Sequence, residues 1–431
     1  MTQKITSLVL LCSVVALVSP GVCSGQQAPV SKGHVFIPES SVPQPGDAGV
    51  KAHTHLRLFV PPSGMSFGSA VQPSELPPFP GYFFETPASL GCIYHLVQHS
   101  VPGCNPNVTT ENPDVGKGAG AIALIDAFDD PTAAFDLANY SAQFGLPPAN
   151  LTVVFAQGTR PKMDPTGGWE VEESLDLQIS HAMAPNAQIF LVEAADNSFT
   201  NLFEAVTIGA SLVATAGGGE VSMSWGGGEF SPALGNSTIS ETSFDHFLTF
   251  PGVVFFASSG DSPGTEYPSA SPYVVSAGGT TLSRNAYTGS FLLENTWQDA
   301  GSGPSQVERR PAFQNAVASI VGDSRGTPDL SFDANPTTGL WVLDTNTVPG
   351  PGWYIVGGTS VSSPALAGII NAAGAFRNSS QAENIELYGR SSGDTFNNIG
   401  YGTCGLNAGT FAQSGYDLCT GLGTVNTLRD K

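Results

Sequence analysis

An α/β fold with a largely parallel central sheet and helices on both faces is predicted for this 431-residue chain by three features. Apolar runs of strand length alternate with helix-length stretches. The runs read as buried strands, as expected where helices cover both faces of a sheet. Several end in Ser, Gly or Asp, and sheets of this kind carry their sites at such polar strand C-termini.

Taken in order, residues 1–24 read as an export signal. Lys4 is followed by an apolar run from Ile5 to Val18, Pro20 breaks it, and Val22-Cys23-Ser24 offers small residues for cleavage. Residues 25–85 are rich in Pro, Gly and Ser and read as a short propeptide or N-terminal extension; residues 86–431 form the main domain. Gly120 to Asp126 is a buried strand and Thr132 to Phe144 a helix. Leu151 to Phe155 and Ala187 to Glu193 are strands around a helix near 169–184. Further strands are read at Val221 to Ser224, Gly252 to Ser258, Tyr273 to Ala277 and Leu340 to Leu343, and a small-residue helix from Ser360 to Phe376.

Composition narrows the function. Asp and Glu number 36 against 15 Lys and Arg, a net charge of −21, and the few cations are scattered, which argues against a nucleic-acid partner. The surplus carboxylates suit either solubility or acidic surroundings, where protonation relieves self-repulsion. After the signal no apolar run is long enough for a membrane span, so a secreted protein, extracellular or periplasmic, is expected. Four cysteines remain, and their spacing suggests disulfides Cys92–Cys104 and Cys404–Cys419, although it also permits metal ligation.

Three stretches carry chemistry. Gly357-Gly-Thr-Ser-Val-Ser-Ser-Pro364 holds Ser360 where a Gly-rich turn enters a helix, close to free backbone N–H groups that can bind an oxyanion; alone, it also reads as a helix cap. Pro364 fits the first helical turn. In Glu170-Val-Glu-Glu-Ser-Leu-Asp176, Glu172 and Asp176 lie one helical turn apart beside a buried stripe of Val171, Leu175 and Ile179. That pair suits either a solvated acidic face or two carboxyls sharing a proton. Val253 to Ser262 is a strand that ends by presenting Asp261.

Together, and in this order, the stretches resemble the sedolisins, or serine-carboxyl peptidases, which have a subtilisin-like fold. The nucleophile segment is similar to that of all subtilisin-like peptidases, but none of the seven histidines is followed by the glycine of the subtilisin histidine motif. Asp126, which looks like the subtilisin aspartate, then has no histidine to orient and is read as structural. The resemblance implies Ser360 as nucleophile, Glu172 as general base, Asp176 as its support and Asp261 in the oxyanion hole. A carboxyl in that place must be protonated to donate, which implies acid action. Tyr267 to Leu282, Pro328 to Ser331 and Thr86 to Tyr94 extend the likeness over about 86–431.

Two departures stand out. The family usually carries a large folded prodomain, and its calcium site uses an Asp-Ile pair where this chain has Asn398-Ile399, followed by Gly415-Tyr-Asp417. Pro263 also replaces a usual glycine after Asp261. The resemblance implies calcium on Asp417, Asn398, Ile399 and Gly415, a staple that the Cys404–Cys419 bridge could replace. The expected function is that of a monomeric secreted serine endopeptidase acting on protein or peptide substrates; a tripeptidyl-type exopeptidase or a non-catalytic binding protein on this scaffold are the alternatives.

Overall fold

The computed structural model describes residues 33–61, 67–113, 120–346, 348, 350–390, 395–405 and 410–427. The predicted signal, residues 1–24, lies outside them. Three short strands come first, β1 (His34–Phe36), β2 (His53–Thr54) and β3 (Arg57–Val60), and then helix α1 (Pro87–Ile93). The predicted alternation follows as β4 (Ala121–Ala127), α2 (Ala133–Phe144), β5 (Asn150–Phe155), α3 (Gly168–Met183), β6 (Gln188–Ala194), α4 (Phe199–Thr215) and β7 (Gly219–Met223). After it come β8 (Trp225–Gly228), β9 (Val253–Ser258), β10 (Glu266–Tyr267), β11 (Val275–Arg284) and β12 (Phe291–Thr296). A ribbon of β13 (Gly303–Arg309) and β14 (Ser324–Thr327) brackets the one-turn α5 (Ala318–Val321). β15 (Leu330–Asp333), the hairpin β16 (Leu340–Asp344) and β17 (Gly352–Gly357), α6 (Thr359–Ala373) and α7 (Ser380–Gly389) complete the body, with β18 (Phe396–Asn397) and β19 (Thr424–Val425) closing it.

The main sheet runs β18-β19-β15-β11-β9-β7-β4-β6-β5, with β12 paired to β11. The pairs β4/β6, β4/β7, β7/β9, β9/β11 and β11/β15 are all parallel, so the predicted sheet is present. β4 lies between β6 and β7, where the strand order reverses, and Asp126 sits at its C-terminal end. Such a crevice is where a doubly covered sheet binds ligands.

One face is covered by α3 and α6, whose Leu175, Ile179, Val361 and Leu366 join Phe256 and Phe332 in the larger core. The other face is covered by α4, through Phe199, Leu202, Phe203 and Val206 against Ile125, Val221 and Phe255. The sequence reading assigned no element to this helix. Within α6, a Cβ on Gly368 would stand 2.8 Å from Met183 Cβ and 3.0 Å from the Ser180 carbonyl oxygen, so glycine is what lets α3 and α6 approach.

Both predicted disulfides are formed, with Cα atoms 5.5 Å apart for Cys92–Cys104 and 5.4 Å for Cys404–Cys419. Each closes a short loop. Replacing both Cys404 and Cys419 by serine should lower the unfolding free energy by about 3 kcal/mol, measured by chemical denaturation in acid, where unchanged stability would deny the bridge a stapling role.

Candidate active site

Ser360 is the second residue of α6, reached from β17 through Gly357 and Gly358. Gly358 has φ +102°, and a Cβ there would stand 2.0 Å from the His55 carbonyl oxygen and 2.6 Å from Asp261 Oδ2. Only glycine fits that turn and leaves room for both oxygens. The Ser360 hydroxyl donates to the Ser224 carbonyl at 3.2 Å. Pro364 lies inside the helix, not in its first turn as the sequence suggested. It has no N–H for the Ser360 carbonyl four residues back, and the Ser224 hydroxyl meets that carbonyl at 3.2 Å.

Every residue of α3 is buried, so Glu172 and Asp176 are not on a solvated face. Asp176 Oδ1 accepts from the Ser224 hydroxyl at 2.7 Å. Among the described residues, Asp176 Oδ2 and both Glu172 oxygens have no hydrogen-bond partner of normal geometry. Burial, then the Asp176 and Asp126 charges, push Glu172 well above the ordinary carboxyl range, while the nearby Ser360 hydroxyl favours its charged form. Asp176 is likewise raised by burial and by Asp126, against the Ser224 bond.

Asp126 was read from sequence as structural. In the fold it is buried with both oxygens unpartnered, burial pushes it up to about 8, and its charge acts on both Glu172 and Asp176. It lies at the end of β4, at the strand-order reversal.

Asp261 follows β9 and faces the start of α6. Its Oδ1 accepts from the Thr359 N–H at 2.7 Å and the Thr359 hydroxyl at 3.0 Å. Arg57 approaches Oδ2 with Nε at 3.3 Å and donates from Nη2 to the Asp261 carbonyl at 2.7 Å. Burial raises Asp261 to about 6, against the opposing pull of Arg57, His55 and the Thr359 bonds. The carboxyl is therefore protonated in acid, with Oδ2 beside the His55 carbonyl.

Residues 51–60 run through this crevice as an extended strand. Asn197 holds Ala52 through two hydrogen bonds, 2.9 Å to its N–H and 2.8 Å to its carbonyl. β2 pairs antiparallel with β8, matching His53 to Gly226 and Thr54 to Trp225. The His55 N–H donates to the Ser224 carbonyl at 3.3 Å, and the His55 carbonyl accepts from the Ser360 N–H at 3.1 Å. β3 then pairs antiparallel with β17, Arg57 opposite Gly357 and Leu58 opposite Val356. One peptide carbonyl is thus held at the Ser360 amide with chain bound on either side, a strand added to two existing edges. Composition marked this stretch as an extension and gave no sign of where it docks.

The residues weighed for calcium do not fit an ion. Asp417 Oδ1 accepts from the N–H groups of Cys419 and Thr420, both at 2.8 Å, and Oδ2 accepts from that of Gln413 at 3.0 Å. The Asn398 side-chain amide donates to the Gly415 carbonyl at 3.2 Å, so two of the would-be ligands bond each other. Ile399 is buried alongside. Among the described residues no group of three or more acidic, His or Cys side chains is arranged to hold a metal. Treatment with a chelator should leave the melting temperature in acid unchanged; a drop of several degrees would restore a metal to the fold.

No protein-family model matches the chain. It is 31% identical to kumamolisin of Bacillus sp. (strain MN-32) over 280 residues, 59% of this chain and 48% of that protein. It is 24% identical to tripeptidyl-peptidase 1 of Dictyostelium discoideum over 359 residues, 74% of this chain and 54% of the relative. The chain thus spans about half the length of these relatives. The solved structure of Pseudomonas sedolisin (serine-carboxyl proteinase), complexed with two molecules of pseudo-iodotyrostatin, superposes with a TM-score of 0.63 at 22% identity, over 80% of this chain and 95% of that one. That likeness is one of fold.

Proposed function

Because this chain belongs to the sedolisin family and has its subtilisin-like fold, we propose that it is an acid-acting serine endopeptidase and that the N-terminal segment docked through the crevice is its inhibitory propeptide. One observation carries the reading: a peptide carbonyl rests on the Ser360 N–H, 3.1 Å away, with the Glu172 carboxyl behind the serine. Ser360 Oγ attacks such a carbonyl and Glu172 takes its proton, with Asp176 holding the second carboxyl proton that keeps Glu172 in place. Charge developing on the carbonyl oxygen is met by the Ser360 N–H and by protonated Asp261. Glu172 returns the proton to the leaving amine, and water then splits the acyl-enzyme ester.

Cleavage inside chains, not tripeptide release, is favoured by the crevice itself. It holds Ala52 through Asn197 and His53 through β8, and Lys51 bridges to Ser198, so at least five residues fit ahead of the bond. Export through residues 1–24 accords with the two disulfides, which persist in oxidising surroundings. No helix among the described residues is long and apolar enough to cross a membrane.

The test is a matched pair of internally quenched peptides, one with a free and one with an acetylated N-terminus, cut in acid by protein that has released its N-terminal segment. Equal rates support an endopeptidase. Cleavage of the free peptide alone, three residues in, assigns the exopeptidase reading, and cleavage of neither rejects the peptidase.

A further inference from the structure

The side chain of His55 occupies a built pocket beside the peptide it presents. Its Nδ1 lies 2.6 Å from the Ser258 hydroxyl and its Nε2 lies 2.8 Å from Glu266 Oε2. Ser258 is the last residue of β9, and Glu266 opens β10, which pairs with β8 on the edge opposite β2. The strand that docks the peptide backbone is thus flanked by the strand that reads its side chain. Gly226 of β8 forms the wall: a Cβ there would come within 2.9 Å of His55 Cε1. A Cβ on Gly260 would meet Glu266 Oε1 at 2.9 Å, so the carboxylate rests on bare backbone.

The hydrogen bonding suits a cation. With both ring nitrogens protonated, Nε2–H donates to Glu266 and Nδ1–H to the Ser258 oxygen, whose own hydrogen is directed to the Met223 carbonyl at 3.4 Å. Burial opposes the charge on this ring, but Glu266 and then Asp261 outweigh it, with Arg57 acting against them, and the His55 pKa is raised. An aliphatic side chain in the same place would leave the half-buried Glu266 carboxylate without its partner, and an acidic one would face it.

We infer that Ser258 and Glu266 select a cationic side chain of imidazole size ahead of the cleaved bond, and that His55–Leu56 is the bond this chain hydrolyses in itself. The inference rests on the peptidase reading above. In this self-cleavage Ser360 Oγ bonds to the His55 carbonyl carbon as the bond to Leu56 nitrogen breaks. The serine proton, held by Glu172, passes to the Leu56 amine. Water then hydrolyses the ester, leaving a carboxylate on His55 and a free Ser360.

The test combines self-cleavage with peptides. Purified full chain, brought to about pH 4, should yield a new N-terminus at Leu56 by mass spectrometry. Octapeptides reproducing Ala52 to Phe59, with His, Gln or Glu at the position of His55, should be cut with kcat/KM for His exceeding that for Glu by roughly 30-fold or more. Glu266→Gln should bring the His-to-Glu ratio close to one, whereas a folding defect would lower all three rates together and leave the ratio alone. Failure of the wild type to cut any peptide or itself would sink the peptidase reading. Equal rates for the three peptides, a ratio unmoved by Glu266→Gln, or self-cleavage elsewhere with activity intact would overturn this inference alone.

Discussion

Ser360→Ala should give a chain that folds, keeps its N-terminal segment attached in acid and loses peptidase activity by roughly a million-fold. The magnitude follows from what is removed. The remaining oxyanion donors and the bound strand still position a peptide, but no group is left to form the ester, and Glu172 has no proton to accept. Stability should change little. The hydroxyl's bond to the Ser224 carbonyl, at 3.2 Å, is worth about 1 kcal/mol, and alanine is well suited to a helix. Glu172→Gln should approach the same loss for a different reason: the amide cannot take the serine proton. Intact mass after acid incubation and a melting curve read both variants. If Ser360→Ala still releases its N-terminal segment at the wild-type rate, the serine is not the nucleophile.

The sequence signals for this site and the missing ones differ in kind. Ser360, Glu172, Asp176 and Asp261 sit in contiguous stretches whose local geometry is written in neighbouring residues: a Gly-rich turn into a helix, a four-residue helical spacing, a strand ending in small residues. The fold brings Ser360 and Glu172 together because α3 and α6 pack at Gly368. The parallel sheet was legible for the same reason, since each strand is a compact apolar run. Arg57, His55 and Glu266 were not legible. Their roles depend on β2 and β3 docking on β8 and β17, strands far away in sequence, and a two-residue strand leaves no periodicity to detect. Helix α4 carries a helical signal of its own, with Phe199, Leu202, Phe203, Val206, Ala210 and Val213 buried at three- and four-residue spacing, which the reading passed over. That backbone amides already fill the Asp417 carboxylate is a fact residue types alone do not reveal.

Raising the pH should remove activity first and the fold later, and Asp261→Asn should separate the two. The folded pKa of Asp261 is about 6, above its ordinary 3.8, so the carboxyl carries the donor proton in acid and loses it as pH rises through about 6. Activity should fall there in the wild type. Asparagine donates at every pH, so the variant should keep part of the activity and its alkaline limb should move up, limited next by Glu172 and Asp176, whose shared proton is held more tightly. Arg57→Gln should shift the limb of self-cleavage the same way, because the guanidinium favours ionised Asp261 in the intact chain. Stability follows Asp261 and, over a wider range, other buried carboxyls. Asp126 is raised to about 8 and Glu193 to about 9 in the fold, both chiefly by burial. A raised carboxyl stabilises the fold fully below its unfolded value near 4, and that stabilisation is lost progressively as pH rises to the folded value. The melting temperature should therefore be highest in acid and decline from about pH 4 towards pH 9, less steeply between about pH 4 and 6 in Asp261→Asn, which lacks the contribution of Asp261 itself. Rate profiles and melting curves over one pH series decide the matter. A wild-type activity limb that coincides with unfolding, or one that Asp261→Asn leaves in place, would remove Asp261 from the oxyanion site.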